Sequence, residues 1–440
     1  MGSIGIAKPD TTHDLTSNRG SDTWPTAPIG ELFEIGAGKS VTPAARSGER
    51  KHPFLRTSNI YWGRVDLTEV STMHFTDEEI ETKSLHKGDL LVCEGGDIGR
   101  SAIWNGELEQ CGFQNHLHRL RLKDNDIVPR FIMYYLQVGF TQLGIYEGAG
   151  NKTTIPNLSR SRLAALEVPK PPKPEQEKIA AVLWKVQKAV EVQDKLVRTT
   201  RELKAATLRR LFTRGLRNEP LKETEIGPVP ESWEVVPIGK LFEIVQGLSL
   251  KGNLSHDGTG YPFLRTSNVY WGRIELESVS RMHIDPTQLM GKDLQVGDLL
   301  VCEGGEIGRA AVWQDELPHC TFQNHLHRLR AKDPDQINSR FVMAWLDEGF
   351  RHRRLYEGAG NKTTIPNLSR ARLAELFIPV PTITEQNGIA HTFQTLDRKI
   401  ALHEKKRTAL QDLFKTLLHH LMTARIRVHK LDIDTGEVVL

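Results

Sequence analysis

Cysteine is scarce: four in 440 residues, too few for a disulfide scaffold and a usage that suits the reducing cytoplasm. Long apolar runs are missing as well, and none approaches the roughly 18 residues that a membrane-spanning helix needs. The first residues lack the charged-then-apolar order of a secretory signal, and residues 1–20, which are polar, are expected to form a tail. Neither charge sign dominates: 58 Lys and Arg against 55 Asp and Glu leave +3. Such a chain has no global cationic field, so a nucleic-acid surface would have to be local. What is present, 38% hydrophobic and 26% charged residues, is the balance of a soluble globular protein, and the length suggests roughly two to four domains.

The chain is written twice. PFLRTSNIYWGR at Pro53 to Arg64 returns as PFLRTSNVYWGR at Pro262 to Arg273. GDLLVCEGGDIGR at Gly88 to Arg100 returns at Gly297 to Arg309 with one change, FQNHLHRLR at Phe113 to Arg121 returns at Phe322 to Arg330, and YEGAGNKTTIPNLSR at Tyr146 to Arg160 returns at Tyr356 to Arg370. Between residues 53–122 and 262–331, about 44 of 70 positions are identical without a gap. A period of roughly 210 residues is far longer than the ~20–50 of solenoid repeats. The duplicated unit is therefore a whole globule, and pseudo-two-fold geometry is its expected outcome.

Each copy opens on a shared PIG-x-LFEI string, within Trp24 to Ile35 and Trp233 to Ile244. Leu90 to Cys93 followed by Glu94-Gly95-Gly96 predicts a buried strand ending in a tight turn. Ser101 to Trp104 with Asn105-Gly106 predicts a strand and hairpin turn. Phe131 to Gln137 predicts a helix, and Pro156 to Ser159 opens a short one whose apolar side includes Leu163 and Leu166. After a proline-rich exit at Val168 to Pro174, Glu175 to about Arg214 contains neither Gly nor Pro, with Ile179, Leu183, Val186, Val190, Val197, Leu203 and Leu211 among its apolar residues. In the second copy, Thr384 to about Ala424 carries Ile389, Phe393, Leu396, Ile400, Leu410, Phe414, Leu417 and Leu421, with His403 and Arg407 interrupting the stripe. Three-then-four spacing puts such residues on one helix face, and a helix of about 40 residues spans about 60 Å. Two such helices are expected to pair antiparallel as a coiled-coil spacer. The expected fold is mixed α/β (α+β): globules at about 21–170 and 219–380, long helices at 171–218 and 381–425, and a tail at 426–440.

Catalytic signatures are lacking. Gly36-Ala37-Gly38-Lys39-Ser40 looks like the end of a phosphate-binding loop, but Phe33 stands where the first glycine must be, so a strand exit is expected. Neither an Asn- or Asp-Pro-Pro-aromatic string nor an FxGxG loop occurs. Cys93, Cys111, His116 and His118 recur as Cys302, Cys320, His325 and His327, but their spacing does not suit zinc, and buried cysteines with strand histidines are expected.

The order of these strings resembles the specificity (S) subunit of type I restriction–modification enzymes over about Trp24 to Met422. The residues that carry the resemblance are the segment from Glu231 to Gly239, Gly297-Asp298-Leu299-Leu300-Val301, and the proline-rich exits followed by Glu175-Gln176 and Glu385-Gln386. The resemblance implies that the globules are target recognition domains for double-stranded DNA, and that the helices act as a ruler and dock two methyltransferase (M) subunits. It also implies that this chain is not an enzyme and holds no cofactor. Adenine-N6 methylation from S-adenosylmethionine would belong to the M subunits. Cleavage and ATP- and Mg-dependent translocation would belong to restriction (R) subunits, up to two of them. Two alternatives stay open: the S-like recognition subunit of a bipartite enzyme that cuts outside its site, and a duplicated scaffold that binds protein partners only.

Affinity for DNA needs cations and amides on phosphates, and specificity needs side chains at base edges. Arg56, Asn59, Tyr61 and Arg64, with Arg265, Asn268, Tyr270 and Arg273, combine donors with aromatics. Asn151, Lys152 and Thr153, with Asn361, Lys362 and Thr363, lie in a small-residue loop that lets backbone approach a groove. Gln114 and Asn115, with Gln323 and Asn324, have amides that can grip adenine. Glu94-Gly95-Gly96-Asp97 is acidic, and a structural turn is the favoured reading although Glu94 can accept from cytosine N4. Two near-identical readers, inverted by antiparallel helices, are expected to read an interrupted palindrome with half-site centres about 34 Å apart. The copies differ at Val65 to Lys87 and Asp126 to Gly144, and if these read bases the halves would differ.

Overall fold

A computed structural model of the chain describes residues 24–144, 157–249, 254–255, 259–354 and 367–436. The chain divides into two compact units, one running to Glu191 and resuming at Thr408, the other Val192–Arg407. Each unit thus holds one globule and a stretch of both long helices. The expected tail at 1–20 lies outside the described residues.

In the first unit a four-stranded antiparallel sheet runs in the order Phe33–Ala37, Leu117–Leu122, Leu90–Cys93, Ser101–Ile103. The apolar run at Leu90–Cys93 is explained by what lies on each face. Leu90 and Val92 enter the core shared with the helix Pro129–Val138, while Leu91 and Cys93 enter another with Leu55 and Trp104. A strand covered on both sides has no polar face to show. A smaller sheet of Ser71–His74, Lys51–Leu55 and Gly112–Phe113 lies beside it in the chain's order of pairing. The second unit repeats the larger sheet with Phe242–Gln246, Leu326–Ala331, Leu299–Cys302 and Ala310–Val312.

The hairpin expected at Asn105-Gly106 is not formed. Ser101–Ile103 pairs back onto Leu90–Cys93, and the next strand, Gly112–Phe113, pairs parallel with Lys51–Leu55 in the other sheet. Asn105 instead turns the chain locally, its backbone N–H and side-chain amide donating to Glu107. The short helix expected after Pro156 forms at Arg160–Ala164, capped by Ser159, with Leu163 buried.

The long helices run Lys173–Arg214 and Ile383–Met422. The recurring Glu-Gln pair at their starts has a structural reason. Gln176 is fully buried and bonds Pro171 O, Asp126 O and Val128 N, and Gln386 repeats this with Pro381 O, Gln336 O and Asn338 N. Within the second unit the helices run antiparallel: Gln193 meets His403, whereas Lys204, further along, meets Asp397. Within the first unit, Ile179 to Leu183 near the start of one helix share a core with Leu418 to Met422 at the end of the other.

Leu203 does not belong to the buried stripe; it is 54% exposed, while Val197, Leu208 and Phe212 are buried. The inward position between Val197 and Leu208 is taken by Lys204, whose ammonium lies 4.0 Å from the Phe393 ring centre and 2.7 Å from Asp397. Leu203, about 100° round the helix, is turned to the surface. His403 and Arg407, which break the stripe in sequence, bond Gln193 and Asp194.

Candidate nucleic-acid interface

The repeated strings, far apart in sequence, meet at one end of each large sheet. Leu117 pairs with Cys93, and His118 with Ala37, so residues 38–39, 94–96 and 114–116 emerge together. Asn115 N–H donates to Lys39 O, Glu94 N–H to His116 O, and Leu158 N–H to Glu94 O. The last bond ties Leu158 to the same place. His118, buried at 3% exposure, sits 2.8 Å through Nε2 from Leu158 O. Burial pushes its pKa down, so the neutral ring donates there and braces Leu158. The second unit repeats each contact: Glu303 N–H to His325 O, Leu368 N–H to Glu303 O, and His327 Nε2 to Leu368 O at 2.9 Å.

Tyr61 and Tyr270 stand out of this surface, 42% and 41% exposed. Each ring lies between two guanidiniums, Arg64 at 4.8 Å and Arg100 at 5.3 Å in one unit, Arg273 at 4.7 Å and Arg309 at 5.2 Å in the other. Arg100 also donates to Thr57 O and Asp97, both at 2.8 Å, and so clamps the tyrosine turn to the Glu-Gly-Gly turn. Arg309 does the same through Thr266 O. Arg100 and Arg309 were not among the candidates read from sequence; their return at the end of a repeated string was the available signal. Arg64 and Arg273 are exposed and carry the cationic edge. Arg56 and Arg265 are half-buried at the start of the turn. Gln114, Asn115, Gln323 and Asn324 are half-exposed at the sheet end beside it.

Asn59 and Asn268 are inside. Asn59, 4% exposed, accepts from Arg56 N–H and donates to Asp66 O and Glu69 O, each at 2.9 Å. Asn268, fully buried, accepts from Arg265 N–H and donates to Glu275 O and Ser278 Oγ. Their amides shape the turn from within, because a buried amide must spend its donors and acceptor locally. Arg119 and Arg121, beside Gln114 in sequence, likewise point into the globule, onto Glu34 and as a fork onto Asp89. Asn151, Lys152, Thr153, Asn361, Lys362 and Thr363 lie outside the described residues.

Lys39 leaves the strand Phe33–Ala37 and pairs with Glu79, a strand exit with its ammonium engaged. The four cysteines are buried, and desolvation pushes Cys93 and Cys302 up to about 11 and Cys111 and Cys320 up to about 12. All four pack in apolar cores, Cys93 and Cys111 with Trp104, Cys302 and Cys320 with Trp313.

Two copies of one mixed α/β unit, each carrying an arginine–tyrosine surface and a stretch of both long helices, define a duplicated recognition protein. The family model of the type I restriction modification DNA specificity domain matches residues 21–197 and again 230–412, and the chain belongs to that family. It is 25% identical over 419 residues to a Methanocaldococcus jannaschii protein described as the specificity subunit of the type I restriction enzyme MjaX, covering 92% of this chain and 94% of that one. It is 23% identical to the MjaVIII specificity subunit of the same organism, covering 97% and 98%. In fold it is similar to the S subunit of a type I restriction–modification system from M. genitalium, with a TM-score of 0.60 at 17% identity over 92% of this chain and 97% of that one. Among the described residues no helix is long and apolar enough to cross a membrane.

Proposed function

We propose that this chain reads a bipartite double-stranded DNA site, one half-site per unit, and contributes recognition without catalysis. Two M subunits docked on the long helices methylate adenine N6 from S-adenosylmethionine, and R subunits, where they join, cleave with ATP and Mg. The observation that carries this reading is the duplicated surface of Tyr61, Arg64 and Arg100 with Tyr270, Arg273 and Arg309. The exposed guanidiniums of Arg64 and Arg273, each over a tyrosine that Arg100 or Arg309 backs from inside, supply phosphate contacts and a flat apolar face at one place, as a nucleic-acid surface requires. The near identity of the two surfaces supports inverted repeats of one half-site, an interrupted palindrome. The test is single-molecule methylation sequencing of a host with and without this gene. Loss of N6-methyladenine at one bipartite motif on deletion is the expected result; an unchanged methylome contradicts the reading.

A further inference from the structure

The glycines of the turn after Leu90–Cys93 differ in what keeps them glycine. Gly99 has φ +80° and a Cβ there would lie 2.4 Å from the Phe140 ring; Gly96 has φ +72°. Both are required by the chain itself. Among the described residues Gly95 is not: its φ is outside the left-handed region, and a Cβ would meet none of them within 4 Å. The second unit repeats the pattern, with Gly308 (φ +80°) against Phe350, Gly305 at φ +75°, and Gly304 unstrained with none of the described residues within 4 Å of a Cβ. A glycine for which the described residues give no steric reason, at the same place in both units, fits the close approach of an outside surface.

The residue before it is an acid. The Glu94 side chain is 19% exposed with His116 Nδ1 at 3.6 Å; the Glu303 side chain is 11% exposed, with His325 Nδ1 at 3.7 Å and Gln246 Nε2 at 3.3 Å on one oxygen and Asn367 Nδ2 at 3.4 Å on the other. Facing a phosphate, such a carboxylate repels. In the major groove it meets amino donors, cytosine N4 or adenine N6, and is repelled by guanine O6 and N7 and thymine O4.

Resting on the DNA-recognition reading, we propose that the Glu94-Gly95 turn and its copy Glu303-Gly304 enter the groove, where the carboxylate selects a base with an exocyclic amino group. The turn is already stiff at its base, held by Arg100 on Thr57 and by Cys93 N–H on Arg100 O, so the carboxylate arrives preorganised.

The test uses the full chain with its methyltransferase partner, scored by the methylation motif it writes and by affinity for a duplex carrying the wild-type motif. Gly95→Ala with Gly304→Ala leaves the unfolding midpoint unchanged and weakens that affinity at least tenfold. Glu94→Gln with Glu303→Gln makes one motif position per half-site degenerate, and whether cytosine or adenine was required there identifies the amino group read. Variants that write the wild-type motif at wild-type affinity overturn the inference and leave the recognition reading standing. So does an alanine variant whose midpoint falls with its affinity, since the glycine is then structural. A wild-type chain that writes no motif overturns both.

Discussion

Asn59→Ala separates bracing from reading at the tyrosine turn. The side chain makes three hydrogen bonds inside the first unit, and its loss orphans the Arg56 N–H and the carbonyls of Asp66 and Glu69. At about 1 kcal/mol for each broken bond the cost is about 3 kcal/mol, lowered toward 2 where water reaches the exposed side of the Glu69 loop. For a unit of roughly 150–250 residues each kcal/mol lowers Tm by about 2–4 °C, so a fall of about 4–12 °C is expected. Asn59→Asp, equal in size, should cost at least as much, because its carboxylate faces the same two carbonyls. Thermal unfolding followed by circular dichroism, with urea titration as a check, measures both. An Asn59→Ala chain that melts within about 1 °C of wild type yet loses tenfold in DNA affinity would refute the reasoning and make Asn59 a direct contact.

Arg64→Ala with Arg273→Ala should weaken DNA binding across all sequences and reduce the slope of log affinity against log salt by about 2, since each lost phosphate contact accounts for about 0.9; a salt titration of binding reads this, and an unchanged slope contradicts it. Glu175 is 2% exposed in the first unit; burial pushes its pKa up, but the Arg427 guanidinium at 2.7 Å outweighs this and holds it below the usual range. A depressed carboxylate stabilises above its unfolded pKa near 4.5, and the contribution is lost as pH falls through the folded one. Arg427→Met should therefore cost about 3 kcal/mol at pH 7 and much less near pH 4, read by urea unfolding at both, because a buried carboxylate is left unpaired only where it is ionised. None of the four thiols should react with a thiol reagent at pH 8 until the chain is unfolded; fast labelling of any of them in the native protein would contradict their burial.

Much of the fold was legible because its signals are local. Apolar strands bounded by glycine and long stretches free of proline announce themselves, and Lys173–Arg214 and Ile383–Met422 lie inside the expected 171–218 and 381–425. Pairing was less so. Nothing local says that Gly112–Phe113 leaves its neighbour to join Lys51–Leu55, because parallel pairing is a tertiary choice. Lys204 illustrates the limit for helices, its long apolar stem serving where a hydrophobic residue would be expected and turning Leu203 outward. At the recognition surface the difficulty is chemical. Asn59, Arg119 and Arg121 are the same residue types that read DNA, and only their burial shows that they brace the globule instead. Tyr61 and Arg64 stay exposed, and the sequence distance of Arg100 hid its part in holding them.

The most direct test of the central claim, that one reading unit has been used twice, is the form of the methylation motif. Single-molecule sequencing of DNA modified by this system should give two inverted copies of one half-site around an unread spacer. Two unrelated half-sites would show that the segments in which the copies differ, and not the shared tyrosine–arginine surface, choose the bases.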